Sequence, residues 1–397
     1  MGVVWRRSET EQRLSVKKIG FIPRLESLRG VAALTVVGYH VNNQLSGGTA
    51  NGLLDTLVGR LIGACANGTG AVVTFFVLSG FVLARSLDSN FDPGRFLRNR
   101  LFRLLPAAAA TVALLTVLYW KFGFYVGFRA SFDPVNVVLN MLMIRSDIDV
   151  VMWSMTVECV ATPLILLSVW TLQKRRELQL WGLMIVLIGV SSWGPYVHLL
   201  GGFTNLAPLY AFIVGVLIHF KSEQRASSFG PGLAIAVAIF SIALFCFCGS
   251  RTQSALVLLL ECLSAAAVIA LIAWRPAMVL FKPLDFGPVR FYGQISYSFY
   301  LLHLIGISLA FRLIKPVAWN AAGLPLSLTV IFATAVAILL TTPAAYLFWR
   351  FIEIPAINFG RSLGWRRARI QATGSARMPE LRANSEPMPT EFDVPSN

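Results

Sequence analysis

A few side chains in this sequence are of the right type to do chemistry, and they sit in or beside long apolar runs. The stretch Arg24-Leu-Glu-Ser-Leu-Arg29-Gly-Val-Ala-Ala-Leu-Thr-Val-Val-Gly-Tyr-His40 begins with charges and ends on a histidine that an apolar helix has no packing reason to hold. Arg29 and His40 are eleven positions apart, close to three turns, so one helix face carries both. At 1.5 Å per residue their separation is roughly 16 Å along the axis. The stripe therefore presents a guanidinium near one membrane surface and an imidazole deep inside. A second ionisable group, Glu158, lies in Trp153-Ser-Met-Thr-Val-Glu158. Counted from the ends of their segments, His40 lies near 18 Å up and Glu158 near 10 Å in from the opposite side, roughly one level. A carboxylate beside an imidazole orients its tautomer and raises its basicity, which is the pairing a general base needs. A structural hydrogen bond between two helices is the plainer alternative.

The run Arg95-Phe-Leu-Arg98-Asn-Arg100-Leu-Phe-Arg103-Leu-Leu-Pro106 is read as a cytoplasmic loop. Arg100 and Arg103 are neighbours at i,i+3, and paired guanidinium groups bind phosphate with geometric specificity. Contact with anionic lipid competes with that reading. Ser79 and Gly80, in Phe75-Phe-Val-Leu-Ser79-Gly80-Phe81, are small residues that permit close helix approach, and no nucleophile elbow surrounds the serine. Glu261 has no motif around it and stands open between a supporting carboxyl, a shielded neutral acid and a proton path. His303, in Ser296-Tyr-Ser-Phe-Tyr-Leu-Leu-His303, either lines a cavity or makes an interhelical contact.

These groups need a scaffold, and composition names it. Of 397 residues 56% are hydrophobic and 13% charged, against about 25% charged in soluble globular domains. Mean hydropathy is +0.67. This is an all-α polytopic membrane protein, expected to carry about ten spans near 28–45, 68–86, 103–122, 151–172, 180–198, 204–220, 231–249, 254–274, 294–314 and 325–349. Residues 134–146 are apolar but too short to cross, so they lie at the interface or re-enter.

With the first residue inside, 27 of the 34 Lys and Arg fall on one side, leaving Arg60, Lys121, Arg129, Arg145, Arg251, Arg312 and Lys315 on the other. That asymmetry places both termini in the cytoplasm. It also accounts for the net charge of +15, so no nucleic-acid partner is expected. The division of the chain is a basic segment at 1–23, a membrane domain at 24–360 and a cytoplasmic tail at 361–397. The tail is polar, Pro- and Ser-rich, and expected to be disordered from about 374. Residues 1–23 lack the apolar core of a cleavable signal. The five cysteines form no CxxC, and neither a disulfide framework nor a metal site is expected.

Taken together, Arg24-Leu-Glu-Ser-Leu-Arg29-Gly…His40, Phe75-Phe-Val-Leu-Ser-Gly-Phe81, Arg100-Leu-Phe-Arg103, Trp153-Ser-Met-Thr-Val-Glu158, Ser296-Tyr-Ser-Phe-Tyr-Leu-Leu-His303 and Phe351-Ile-Glu353-Ile-Pro355 resemble the acyltransferase-3 family of membrane acyltransferases. The resemblance covers roughly 20–360 in order and spacing. It implies ten spanning helices and transfer of an acyl group, commonly acetyl from acetyl-CoA, to a surface polysaccharide, lipopolysaccharide, peptidoglycan or a secreted small molecule. A glycan or lipid-linked saccharide is the acceptor expected here. Its first-helix signature maps onto Arg29 and His40, its paired arginines onto Arg100 and Arg103, and its acid onto Glu158. Glu26 stands where the family often has Asp. After Glu158 the chain continues Cys159-Val-Ala-Thr-Pro163 rather than with a second acid and aromatics. A fused outer hydrolase-like domain, found in some relatives, is not expected here.

The resulting expectation is an O-acyltransferase of the bacterial inner membrane. Cytosolic acyl-CoA is met by Arg29, Arg100 and Arg103. His40, oriented by Glu158, either removes the proton of a hydroxyl arriving from outside, which attacks the thioester directly, or carries the acyl group briefly. The rival class is a proton-coupled exporter or lipid-linked sugar flippase, for which intramembrane Glu and His are also suited.

Overall fold

A computed structural model describes residues 22–126, 130–191, 197–199, 202–204, 206–225 and 230–363. Residues 1–21 of the basic N-terminal segment and the tail expected to be disordered from about 374 lie outside the described residues. The architecture is helical, as lipid demands of a chain whose backbone groups must bond within their own segment. A short antiparallel hairpin pairs Val197–Leu199 with Gly202–Thr204.

Helix occupies all or part of each of the ten expected spans, but they are not equivalent: the segment expected at 180–198 is helical to Ser191 and ends in the strand Val197–Leu199. Seven helices are long and apolar enough to cross a membrane by length and composition. The segments expected at 180–198 and 204–220 are shorter apolar helices, Glu177–Ser191 and Ala207–Lys221. The expected first span is α1, Pro23–Gln44, and it falls short on composition because it carries Arg24, Glu26, Arg29 and His40. That shortfall fits its place. It is wrapped by α3 (Gly68–Ser89), α11 (Gly287–Ile314) and α13 (Leu326–Phe348), so other helices rather than lipid receive its polar groups. Between α1 and α3, α2 (Gly52–Cys65) exposes Leu53, Leu54, Leu57 and Leu61 on one face and buries Asp55. Asp55 accepts the backbone N–H groups of Leu326 (2.9 Å) and Ser327 (2.8 Å), capping the otherwise unsatisfied start of α13.

Two glycine crossings set the helix spacing. A Cβ added to Gly30 of α1 would stand 2.6 Å from the Gly293 backbone nitrogen of α11. Gly293 in turn lies against the Glu26 carbonyl, so α1 and α11 touch backbone to backbone. The second crossing joins Gly80 of α3 to Gly215 of α8 (Tyr210–Arg225), and there the small-residue reading of Gly80 holds.

The arginine run is not a loop. Asp92 caps α4 (Pro93–Phe122), accepting the Arg95 N–H at 2.9 Å, so Arg98, Arg100 and Arg103 all lie within one helix. The segment read as interfacial or re-entrant is α5 (Pro134–Met141), followed by a polar knot. Asn136 and Asn140 each donate to Asp147 (2.8 and 2.7 Å), and Arg145 donates to Asn136 at 2.9 Å. The knot delivers a short 3-10 turn, Val150–Met152, directly to the start of α6 (Trp153–Gln173). The remaining helices are α7 (Glu177–Ser191), α9 (Pro231–Gly249), α10 (Ala255–Trp274) and α12 (Pro316–Ala321).

Candidate active site

One cavity lies at each end of the Arg29–His40 stripe of α1. The larger, about 200 Å³, is lined by His40 and Tyr39 of α1, Thr69, Trp153, Gln253 and Tyr300 among others. The smaller, about 20 Å³, is lined by Arg29, Glu158, Ser154, Tyr297 and Tyr300. Val72 and Tyr300 line both, so a single partition separates them. Tyr300 is held in that wall. Its hydroxyl donates to the Val151 carbonyl at 3.1 Å and accepts from Ser154 Oγ at 3.0 Å. The Val150–Met152 turn thus fixes both the wall of the His40 cavity and the tyrosine. A third hollow of about 340 Å³ between α1, α3, α9 and α10 is lined by apolar side chains, Ser and Thr, and carries no ionisable group.

The smaller cavity opens on a compact ionic cluster. Glu158 Oε2 pairs with Arg100 Nη2 at 2.9 Å, and Glu158 Oε1 accepts from Ser79 Oγ at 3.0 Å. Arg100 Nε donates to Thr162 Oγ1 at 3.1 Å. Arg29 faces Arg103, Glu158, Glu353 and Glu26 electrostatically, and Glu353 Oε2 accepts from Ser298 Oγ at 2.9 Å. Three guanidinium groups and three carboxyls therefore meet from α1, α4, α6 and the π-turn Trp349–Glu353. Removing so many charges from water is tolerable only because each side of the cluster neutralises the other.

The structure brings Arg29, Arg100, Arg103 and Glu158 together and sets His40 apart from them. The expected His40–Glu158 pairing is not the one seen. Both oxygens of Glu158 are taken by Ser79 and Arg100, and the ring against His40 belongs to His303, with centroids 5.2 Å apart. Depth counted along a helix gave a shared level but not which way each face turns. Arg100 is likewise committed inside the protein, buried against Glu158 and Thr162, rather than presented to a phosphate. Ser79 does more than pack: it holds one oxygen of Glu158.

Two further contributors were legible in outline. Ser296, Tyr300 and His303 recur at i, i+4 and i+7, a polar stripe down one face of α11, and all three are buried. Glu353 had only its short motif to mark it. Among the described residues no group of three or more His, Cys, Asp or Glu could hold a metal ion.

A family profile described as an acyltransferase domain matches residues 22–350, which spans both cavities and the ionic cluster. The chain belongs to this acyltransferase family. Curated relatives of the chain include proteins of Staphylococcus aureus strains COL, MRSA252 and MSSA476, each named "Putative O-acetyltransferase". Each is 24% identical over 414 aligned positions, covering 91% of this chain and 62% of the relative. The chain therefore spans under two thirds of the length of the curated relatives it matches. No solved structure matches it.

Proposed function

We propose that this protein is an integral membrane O-acyltransferase. It takes an acyl group, acetyl in the simplest case, from cytosolic acyl-CoA and places it on a hydroxyl of a surface or exported saccharide. The observation that carries the reading is the pair of cavities at the two ends of the Arg29–His40 stripe, one lined by Arg29 and the other by His40, with Val72 and Tyr300 lining both. A transferase working across a membrane needs separate berths for donor and acceptor that meet at the reacting atoms.

The bias of Lys and Arg puts the Arg29 end of α1 at the cytoplasmic surface and the His40 end toward the outside. Arg29 and Arg103 are the guanidinium groups that receive the donor's phosphates or the polar start of its pantetheine arm. Arg100 serves differently, holding Glu158 and through it the wall of the donor cavity. The thioester reaches the partition formed by Val72 and Tyr300. On the other side the cavity offers aromatic faces at Tyr39 and Trp153 and hydrogen-bonding groups at Thr69 and Gln253, a lining suited to a sugar ring. Neither ring nitrogen of His40 has a hydrogen-bond partner among the described residues, so one is free to take the proton of the acceptor hydroxyl. The alkoxide oxygen attacks the thioester carbonyl, the C–S bond breaks, and the proton on His40 passes to the departing thiolate.

The test is acyl transfer in proteoliposomes, with acetyl-CoA on one face and an oligosaccharide acceptor on the other. His40→Ala is expected to lose transfer by at least about 10²-fold, the usual contribution of a general base. Transfer near the wild-type rate would remove His40 from the chemistry. An exporter or flippase would instead move the saccharide with no dependence on acetyl-CoA.

A further inference from the structure

The His40 cavity is backed by an imidazole that the reading above does not use. His303 is 1% exposed, and its ring lies 5.2 Å, centroid to centroid, from that of His40, with planes tilted by 40°. Its Nδ1 is hydrogen-bonded to the Tyr300 carbonyl, one turn back on α11. A carbonyl only accepts, so Nδ1 carries the hydrogen and donates it. In the neutral ring Nε2 is then a bare lone pair. That atom is buried and has no partner among the described residues. A buried acceptor left unpaired is costly, and one kept beside a candidate catalytic group calls for a functional account. The group able to satisfy it is the neighbouring His40 ring. The centroid separation is within the span of an N–H···N hydrogen bond between two imidazoles, and a rotation of the half-buried, unpartnered His40 side chain closes it. Catalytic hydrogen bonds are often open before substrate arrives.

We propose that His303 is a positioning residue for acyl transfer: its Nε2 accepts a hydrogen bond from His40 and so fixes which nitrogen of His40 is basic. The proposal rests on His40 being the general base. With one nitrogen of His40 donating to His303, the other must be the lone pair and faces the acceptor cavity. When that lone pair takes the hydroxyl proton, the imidazolium shares its charge with His303 through the same N–H···N bond. The proton then leaves for the thiolate and both rings return to neutral. His303 gains and loses nothing net. Tyr300 completes the device, because the residue that walls off the donor cavity also pins the Nδ1 hydrogen of His303. A neutral partner suits this place better than a carboxylate would, since a fixed negative charge there would need a cation of its own.

The experiment is steady-state kinetics in proteoliposomes on wild type, His303→Gln, His303→Asn, His303→Phe and His40→Ala. A glutamine carboxamide reaches the position of Nε2 and can accept from His40; asparagine reaches only the position of Nδ1. His303→Asn and His303→Phe are expected to lose about 10²-fold in kcat with KM for both substrates within about twofold, the pattern of a contact made in the transition state. His303→Gln is expected to recover at least about tenfold over His303→Asn. Should His303→Phe fail to fold, the Gln–Asn comparison still decides. Equal loss in Gln and Asn, or wild-type kcat in either Asn or Phe, would overturn the proposal. His40→Ala separates the two claims. If it is dead while the His303 variants are unimpaired, only the positioning role falls. If it is active, the general-base reading falls with it.

Discussion

Arg100 and Glu158 form a 2.9 Å ion pair between α4 and α6, with side chains only 7% and 11% exposed. Breaking such a pair from one side leaves a buried charge without a partner, which costs about 3–5 kcal/mol, whereas replacing both can be nearly neutral. Arg100→Met and Glu158→Met are each expected to lower the thermal unfolding midpoint in detergent sharply. The double variant should regain most of that stability. It should not regain acyl transfer, because the wall of the donor cavity would have lost its charge pattern. A double variant as unstable as either single would show that the pair is held by Ser79 and Thr162 rather than by its own charges.

Arg103, like Arg29, is a half-buried guanidinium of the cluster with no hydrogen bond among the described residues, although it faces Arg29, Glu26 and Glu353. Losing one charge-assisted contact to a ligand costs about 1.5–3 kcal/mol, roughly 10- to 100-fold in affinity. Arg103→Ala is therefore expected to raise KM for acetyl-CoA by about that factor while kcat changes little, the mark of binding spent equally on ground and transition states. A fall in kcat at unchanged KM would move Arg103 from donor binding to the chemistry.

The sequence made the helices legible because apolar run length and the 3.6-residue period are local properties. Helix fills all or most of the expected spans, the one at 180–198 stopping at Ser191 before a short strand, and Arg29 and His40 both lie on α1, each lining a cavity. It did not reveal partners, because partners are set by how helices cross. The contact at Gly30 and Gly293 brings α11, with His303, beside α1, and no count along α6 could show that Glu158 turns toward Arg100 instead. The arginine run differs from its expected loop for a related reason: charge density suggests a loop, but Asp92 caps a helix that carries Arg100 inward against α6. The polar stripe of Ser296, Tyr300 and His303 was the signal available for the histidine pair.

The crossing of α1 and α11 gives a prediction with its own control. A methyl at Gly30 would stand 2.6 Å from a backbone nitrogen, and backbone cannot give way as a side chain can. At Gly38, one face away on the same helix, the added Cβ would meet only the Ala66 Cβ at 3.8 Å, an ordinary contact. Gly30→Ala is expected to cost about 1–3 kcal/mol as an overpacking change and to push His40 away from His303, lowering activity further than stability. Gly38→Ala should be neutral or slightly stabilising, since alanine is the better helix former. Equal tolerance at the two positions, measured by thermal unfolding and transfer rate, would mean that the helices do not touch at Gly30.

At the charged end of α1, Arg24 grips Asp285 with two bonds of 2.8 and 2.6 Å and also donates to the carbonyls of Pro276 and Met278. The Arg24 hydrogen bond holds the Asp285 carboxyl below its ordinary value of 3.8; desolvation opposes this, and the charges of Arg24, Arg290 and Lys282 add to it. A carboxyl whose folded pKa is depressed contributes stability above its unfolded value and loses it as pH falls through the folded value. The wild type should therefore lose a small increment of unfolding temperature as pH drops below about 4, the ordinary carboxylate range. Asp285→Asn should start lower at neutral pH and lack that increment of acid loss. The carbonyl contacts of Arg24 remain in the variant, so α1 should stay seated and acyl transfer at neutral pH should change little. The measurement is the unfolding midpoint of both proteins across the acid range at fixed ionic strength. Parallel curves would mean that the ion pair contributes no stability, as is common for exposed pairs.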